Sequence, residues 1–158
     1  MDLRSTLSFN APVTTVAAML IHPDFAKELG RRISALNSES TTGQQSIETR
    51  FTVAAPESIR KLVGAEMKLI QSISWTGVIG LDRADGQMSM RVAGMPAESA
   101  GAMKLTADGD DKSTLNYQGE LHVRIPLLGK KLESMVGGQF DKVMQAFETV
   151  GNDWLAKQ

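Results

Sequence analysis

The last fifth of the chain, from Pro126 to Lys157, constrains the fold more than any other stretch. Apolar residues recur there by steps of four or three: Leu128, Leu132, Val136, Phe140, Val143, Phe147, Val150 and Trp154. At about 100° per residue these side chains fall within roughly 120° of a helix circumference, the width of a stripe that faces a core. Lys130, Asp141, Lys142 and Glu148 lie between them and point elsewhere. Pro126 suits a first helical position, where its missing N–H leaves nothing unpaired. A helix over this stretch runs to about 45 Å at 1.5 Å per residue, long enough to cross a whole sheet. It therefore needs a wide apolar surface opposite.

The upstream chain supplies that surface as strands. Asp2 to Phe9 alternates, with Leu3, Leu7 and Phe9 on one face, and reads as a first strand. After Asn10-Ala11-Pro12, Val13, Val16, Met19 and Leu20 recur at helical spacing up to His22-Pro23. A second short helix starts at Pro23, carries Phe25 and Leu29 inward and stops near Gly30. From Ile33 the period changes to two. Ile33 to Glu39 is a weak strand, Ser40 to Gly43 a turn, and Gln45, Ile47, Thr49, Phe51 and Val53 form one face of the next strand. Ala54 to Gly64 reads as a short helix or ordered loop, with Ile59, Leu62 and Val63 as a small apolar face and a lid over a cavity mouth as one use for it.

Met67, Leu69, Gln71, Ile73 and Trp75 line one side of the following strand. Asp82 to Gly86 is a turn; Met88, Met90 and Val92 then alternate with polar residues until Gly94-Met95-Pro96 ends the strand. Ala102 to Asp108 points Met103, Leu105 and Ala107 inward, and Asp108-Gly109-Asp110-Asp111 makes a hairpin turn. The last strand alternates most clearly, with Leu115, Tyr117, Gly119, Leu121, Val123 and Ile125 against a polar face. The order is a strand, two short helices, about six antiparallel strands and a long helix, an α+β arrangement read as one domain over residues 1–158.

Composition narrows the function. A chain of 158 residues buries about 70% of the surface its unfolded form exposes, so it needs neither metal nor disulfides to fold. The absence of cysteine excludes thiolate chemistry and fits a reducing compartment. A net charge of −1 without a basic stripe argues against a nucleic-acid partner. The Val13 to Ile21 run is too short to span a bilayer. A cytoplasmic protein with no stable membrane insertion is expected, its oligomeric state left open.

"NAPVTTVAAMLIHPDF" resembles the first strand-to-helix transition of the START-like superfamily, which includes polyketide cyclases, lipid-transfer START domains and plant pathogenesis-related allergens. "GELHVRIPLLGKKLE" with the later Trp154-Leu155 is similar to a mainly actinobacterial branch of that superfamily, in which Trp75 and Gly94-Met95-Pro96 also have counterparts. The resemblance spans nearly the whole chain. It implies the helix-grip fold: a curved antiparallel sheet of about seven strands wrapped around the C-terminal helix, with two short helices after the first strand and a cavity for a hydrophobic molecule between sheet and helix. Its motifs are structural, and no catalytic residue is carried over.

A ligand cavity needs apolar walls and a few convergent polar groups. The inward parity of the strands offers Phe51, Leu69, Ile73, Trp75, Met88 and Met90, and further along Val92, Met103, Leu105, Tyr117 and Leu121. Phe140, Val143 and Phe147 face them from the helix. Thr49, Gln71, the Tyr117 hydroxyl and Gln139 are the polar exceptions, able to orient a carbonyl or hydroxyl but poor acids and bases at neutral pH. The same residues also suit a filled core. The nine methionines tilt the set toward an adaptable lining, and Gly137-Gly138 marks a bend, a close contact or a plain helix break. His22 and His122 read as cap and surface residues, and the Asp108 to Asp111 run lacks the spacing of a calcium loop. No phosphate loop, dinucleotide fingerprint or nucleophile elbow occurs. The sequence thus points to a carrier of a small hydrophobic or lipid-like molecule, without cofactor or metal. A cyclase-like or aromatase-like enzyme and a protein-binding module are the alternatives.

Overall fold

The computed structural model describes residues 1–158, apart from the side chains of residues 135 and 139. The chain forms β1 (Asp2–Phe9), α1 (Val13–Leu20), α2 (Pro23–Arg32), β2 (Asn37–Thr42), β3 (Ser46–Ala54), a 3₁₀ turn over Glu57–Ile59, and α3 (Arg60–Val63). There follow β4 (Glu66–Thr76), β5 (Arg83–Val92), β6 (Ala97–Ala107), β7 (Ser113–Val123) and α4 (Gly129–Ala156). The seven strands make one antiparallel sheet in the order β1-β7-β6-β5-β4-β3-β2. With the 28-residue α4 this is the helix-grip arrangement, α+β.

The two ends of the sheet differ. At one end, α1 packs under β5 and β6, and the buried Trp75 indole donates to the Ala17 carbonyl at 2.9 Å. Ile73, Ala84, Met103, Leu105 and Leu115 are buried in the same core. Gly30 lets α2 lie close on the sheet, since a Cβ there would meet the Ser38 hydroxyl and, at 3.1 Å, the Phe51 ring. α4 runs beside the edge strand β1. Glu148 accepts from the Ser8 N–H at 2.8 Å, and Asn152 both accepts from the Asn10 N–H at 2.9 Å and donates to the Ser8 carbonyl at 3.0 Å. The helix thus satisfies an edge that would otherwise be open to pairing. Gly151 allows the approach: a Cβ there would come within 2.6 Å of the Phe9 ring. The Phe25 ring packs edge-on against Phe147 and Trp154, each at 5.9 Å between centroids.

Several boundaries differ from the sequence reading. α2 continues to Arg32, so the second strand begins at Asn37 rather than Ile33 and runs through the Ser40 to Thr42 stretch expected to turn. Gly86 lies inside β5, where a Cβ would meet the Ser74 carbonyl at 2.5 Å and the Trp75 ring at 2.7 Å; the connection is Gly77 to Asp82 instead. β6 starts five residues earlier than expected, at Ala97. Pro126 does not open α4. It precedes Leu127, whose positive φ of 69° is incompatible with a right-handed helix, so the helix starts at Gly129. The stripe on α4 is also displaced: Met144 is buried, while Val136 and Val143 are 43% and 45% exposed.

Candidate functional site

The register lines up side chains in rows across the inner face of the sheet. One row runs Thr49, Gln71, Met90, Ser99, Leu121 from β3 to β7. The row nearer α1 runs Ile47, Ile73, Met88, Gly101, Gly119, and the next holds Trp75, Gly86, Met103, Tyr117. Beyond the Gln71 row, toward the far end of the sheet, lie Phe51, Leu69 and Val92.

Burial along these rows divides the expected lining into two groups. Phe51, Ile73, Trp75, Met103, Leu105, Leu121 and Phe147 are buried members of the main core; Trp75 is held by its bond to α1, and Phe51 lies under α2. Leu69, Met88, Met90 and Val92 are only half-buried although they point inward, as is Phe140 on α4. These half-buried side chains lie chiefly on β4 and β5, the part of the inner face that the rest of the fold covers least and its open half. Val143 does not belong to it. Its half-exposed side chain sits on the outer side of α4, and Met144 takes the inward position. Gln139 lies outside the described residues.

The polar groups of the inner face are spread over β3, β4 and β7. Thr49 is buried and its hydroxyl shares a 3.0 Å hydrogen bond with that of Ser40. The Gln71 amide donates weakly to the Met88 sulfur at 3.8 Å. Neither its carbonyl oxygen nor the Tyr117 hydroxyl is bonded to another described residue, and no fully buried side-chain polar atom among the described residues lacks a partner. Both oxygens therefore touch open space, where a ligand donor or water can reach them. Tyr117 leans out of its own row: a Cβ on Gly101 would meet its Cζ at 2.7 Å, and one on Gly119 its hydroxyl at 2.5 Å. Two glycines thus make room for the ring, which also tilts against Phe140 at 5.9 Å. Burial pushes the phenol pKa above its ordinary value, so it stays protonated and able to donate at neutral pH. Ser99, half-buried in the Gln71 row, lies ahead of Ala102, where the sequence pattern suggests that β6 starts. The alternation carried back from Met103 through Gly101 reaches it.

The remaining expectations separate cleanly. His22 caps α2, accepting from the Asp24 N–H at 3.0 Å, and its ring lies 5.7 Å from that of Trp154. His122 pairs with Glu120 on the outer face at 3.1 Å. Asp108 to Asp111 forms the β6–β7 turn. Residues 57–63 are helical, with Ile59 buried and Leu62 exposed. A depression of about 700 Å³ on the outer face of β1, β7 and β6 is lined by both signs of charge, including Asp2, Arg4, Lys104 and Glu120.

A family model described as "Protein of unknown function (DUF2505)" matches residues 4–155. The chain belongs to that family. No curated protein matches it in sequence. Among solved structures, a START superfamily protein from Mycobacterium smegmatis is similar to this DUF2505 chain with a TM-score of 0.64 at 14% identity, over 98% of each chain. The Zhui aromatase/cyclase from Streptomyces sp. R1128 has a TM-score of 0.64 at 12% identity, over 97% of this chain and 92% of that one. A point mutant of norcoclaurine synthase from Thalictrum flavum, in complex with a transition-state analogue, has a TM-score of 0.62 at 14% identity, over 99% and 94%. These likenesses establish the START-like fold of the DUF2505 chain. No helix among the described residues is long and apolar enough to cross a membrane.

Proposed function

We propose that this DUF2505 protein binds and carries a small hydrophobic or lipid-like molecule in the open half of the inner face. The observation that carries the reading is the pair of oxygens, on Gln71 and Tyr117, that have no partner among the described residues, on a face that also bears half-buried Leu69, Met88, Met90 and Val92. Apolar surface removed from water there contributes about 25 cal/mol per Å². The Gln71 carbonyl accepts from a ligand hydroxyl or amide, and the Tyr117 hydroxyl donates to a ligand carbonyl. Met88 and Met90 adapt to the outline of the guest.

Binding without chemistry is favoured over a cyclase-type reaction because the inward strand positions carry no Asp, Glu, His, Lys or Arg. Acid–base catalysis needs a group whose pKa lies near the working pH, and a phenol pushed upward by burial moves away from it.

Thermal melting with a panel of fatty acids and polycyclic phenols tests the reading. A ligand present at a hundredfold excess over its Kd stabilises by about 2.7 kcal/mol, a clear rise in Tm. One chemical class raising the Tm supports the carrier; a flat response across the panel contradicts it.

A further inference from the structure

Leu127 stands where a leucine is costly twice over. It occupies the second central position of the turn from Ile125 to Leu128, after Pro126, with φ of 69°. That position ordinarily belongs to glycine, because side chains other than glycine's are strained at positive φ. Its side chain is also fully exposed, so burial offsets nothing. The other residue of this kind, Ser34, closes α2, a common place for a positive φ, and is polar.

The sheet register shows what surrounds Leu127. The pairs Ala54 with Glu66 and Ala97 with Val123, with Leu36 N–H bonded to the Thr52 carbonyl, put Leu36, Leu62 and Leu127 at the same end of the sheet. All three are exposed, and this is the end toward which the open half of the inner face lies. Basic residues flank them. Arg124, Lys130 and Lys131 stand around Leu127, and Arg60 and Lys61 precede Leu62; of the glutamates at this end, Glu133 accepts from the Val123 N–H, Glu98 faces Arg124, and Glu57 and Glu66 lie on either side of Leu62. Arg124 is only loosely engaged, 3.9 Å from Glu98, and the Arg60 Nε donates to the Ala55 carbonyl. At the opposite end Val78 and Leu81 are exposed as well, but beside them stand Asp82, Asp85 and the Asp108 to Asp111 turn.

We infer that the end of the sheet bearing Leu36, Leu62 and Leu127 docks reversibly on an anionic lipid surface. The leucines enter the acyl boundary, and Arg124, Lys130, Lys131 and Lys61 meet the headgroups, the combination of apolar burial and positive charge that holds a protein on a bilayer surface. The acidic end, which also exposes Val78 and Leu81, is repelled. This docking stands independently of what the inner face carries, since vesicle binding is measured on protein with or without a guest.

Co-sedimentation with phosphatidylcholine vesicles, with and without phosphatidylglycerol, tests it. The wild-type chain is expected to bind the anionic vesicles at least tenfold more strongly than the neutral ones. Leu127→Gly relieves the backbone strain, so its Tm holds or rises while anionic-vesicle binding falls at least fivefold. Lys130→Glu with Lys131→Glu removes most of the preference for phosphatidylglycerol, and Val78→Ser with Leu81→Ser leaves binding unchanged. Absence of wild-type binding to either vesicle, unchanged binding by Leu127→Gly, or an equal loss in the Val78/Leu81 variant overturns the inference.

Discussion

The hydroxyl of Tyr117 stands over Gly119, 2.5 Å from the point at which a side chain on that residue would begin. The ring leaves the packed row of Trp75 and Met103 and lies over Gly101 and Gly119, in the row that also holds Met88. Sequence, packing and the binding proposal meet in that displacement.

Gly119→Ala tests the geometry. Its methyl group would also meet the Ala100 carbonyl at 2.5 Å, so the backbone or the Tyr117 ring must shift. Overpacking of this kind costs about 1–3 kcal/mol. A lower midpoint in urea unfolding, with an altered near-ultraviolet spectrum of Tyr117, is the expected result.

Tyr117→Phe separates binding from folding. The hydroxyl has no partner among the described residues, so its removal leaves stability near neutral pH almost unchanged. A ligand with a carbonyl loses one hydrogen bond, worth about 0.5–1.5 kcal/mol or a two- to twelvefold weaker Kd, whereas a pure hydrocarbon is unaffected. Isothermal titration with the two kinds of ligand measures the contrast.

The same residue makes an alkaline signature. Tyr117 is the sole tyrosine, so phenolate absorbance reports it alone. Burial disfavours the charged form and raises the folded pKa above the unfolded value. Below about pH 10 both states hold the proton and the stability is fully present. As pH rises past that value the unfolded chain releases its proton first, and stability falls until the folded pKa is passed. Melting curves between neutral and alkaline pH should show this slope in the wild type and lose it in Tyr117→Phe.

Trp75→Phe tests the division between core and lining. It removes the donor to the buried Ala17 carbonyl, costing about 1–3 kcal/mol, and loosens α1 from β5 and β6. Denaturation should register the loss while ligand selectivity stays the same. A changed ligand profile at unchanged stability would return Trp75 to the site.

Much of this was legible because strand side chains alternate with a fixed period. The β7 pattern gave the inward set from Leu115 to Val123, and Thr49 and Gln71 stood out as polar residues at apolar positions. α4 was harder. Val136 and Val143 satisfy an apolar stripe, yet the helix leans on β1 through Gly151, whose contact with Phe9 depends on having no side chain at all. Periodicity in hydrophobicity is blind to such a residue, so the apolar stripe of the sequence falls on Val143, one step off the buried Met144. Gly86 misled for the same reason: a glycine inside a strand looks like a turn until the Trp75 ring that needs its space is seen. Pro126 fitted a helix start in isolation, and only the conformation of Leu127 moves that start to Gly129.

Met90 borders Gln71 and Ser99 in the half-open row, so Met90→Trp fills the proposed binding space from within. Native mass spectrometry of the wild type and this variant, purified side by side from the organism that encodes the chain, measures occupancy directly. The account predicts a wild-type fraction heavier by one small apolar molecule and a Met90→Trp protein that is folded and empty. An equal bound mass on both proteins, or none on the wild type, would contradict it.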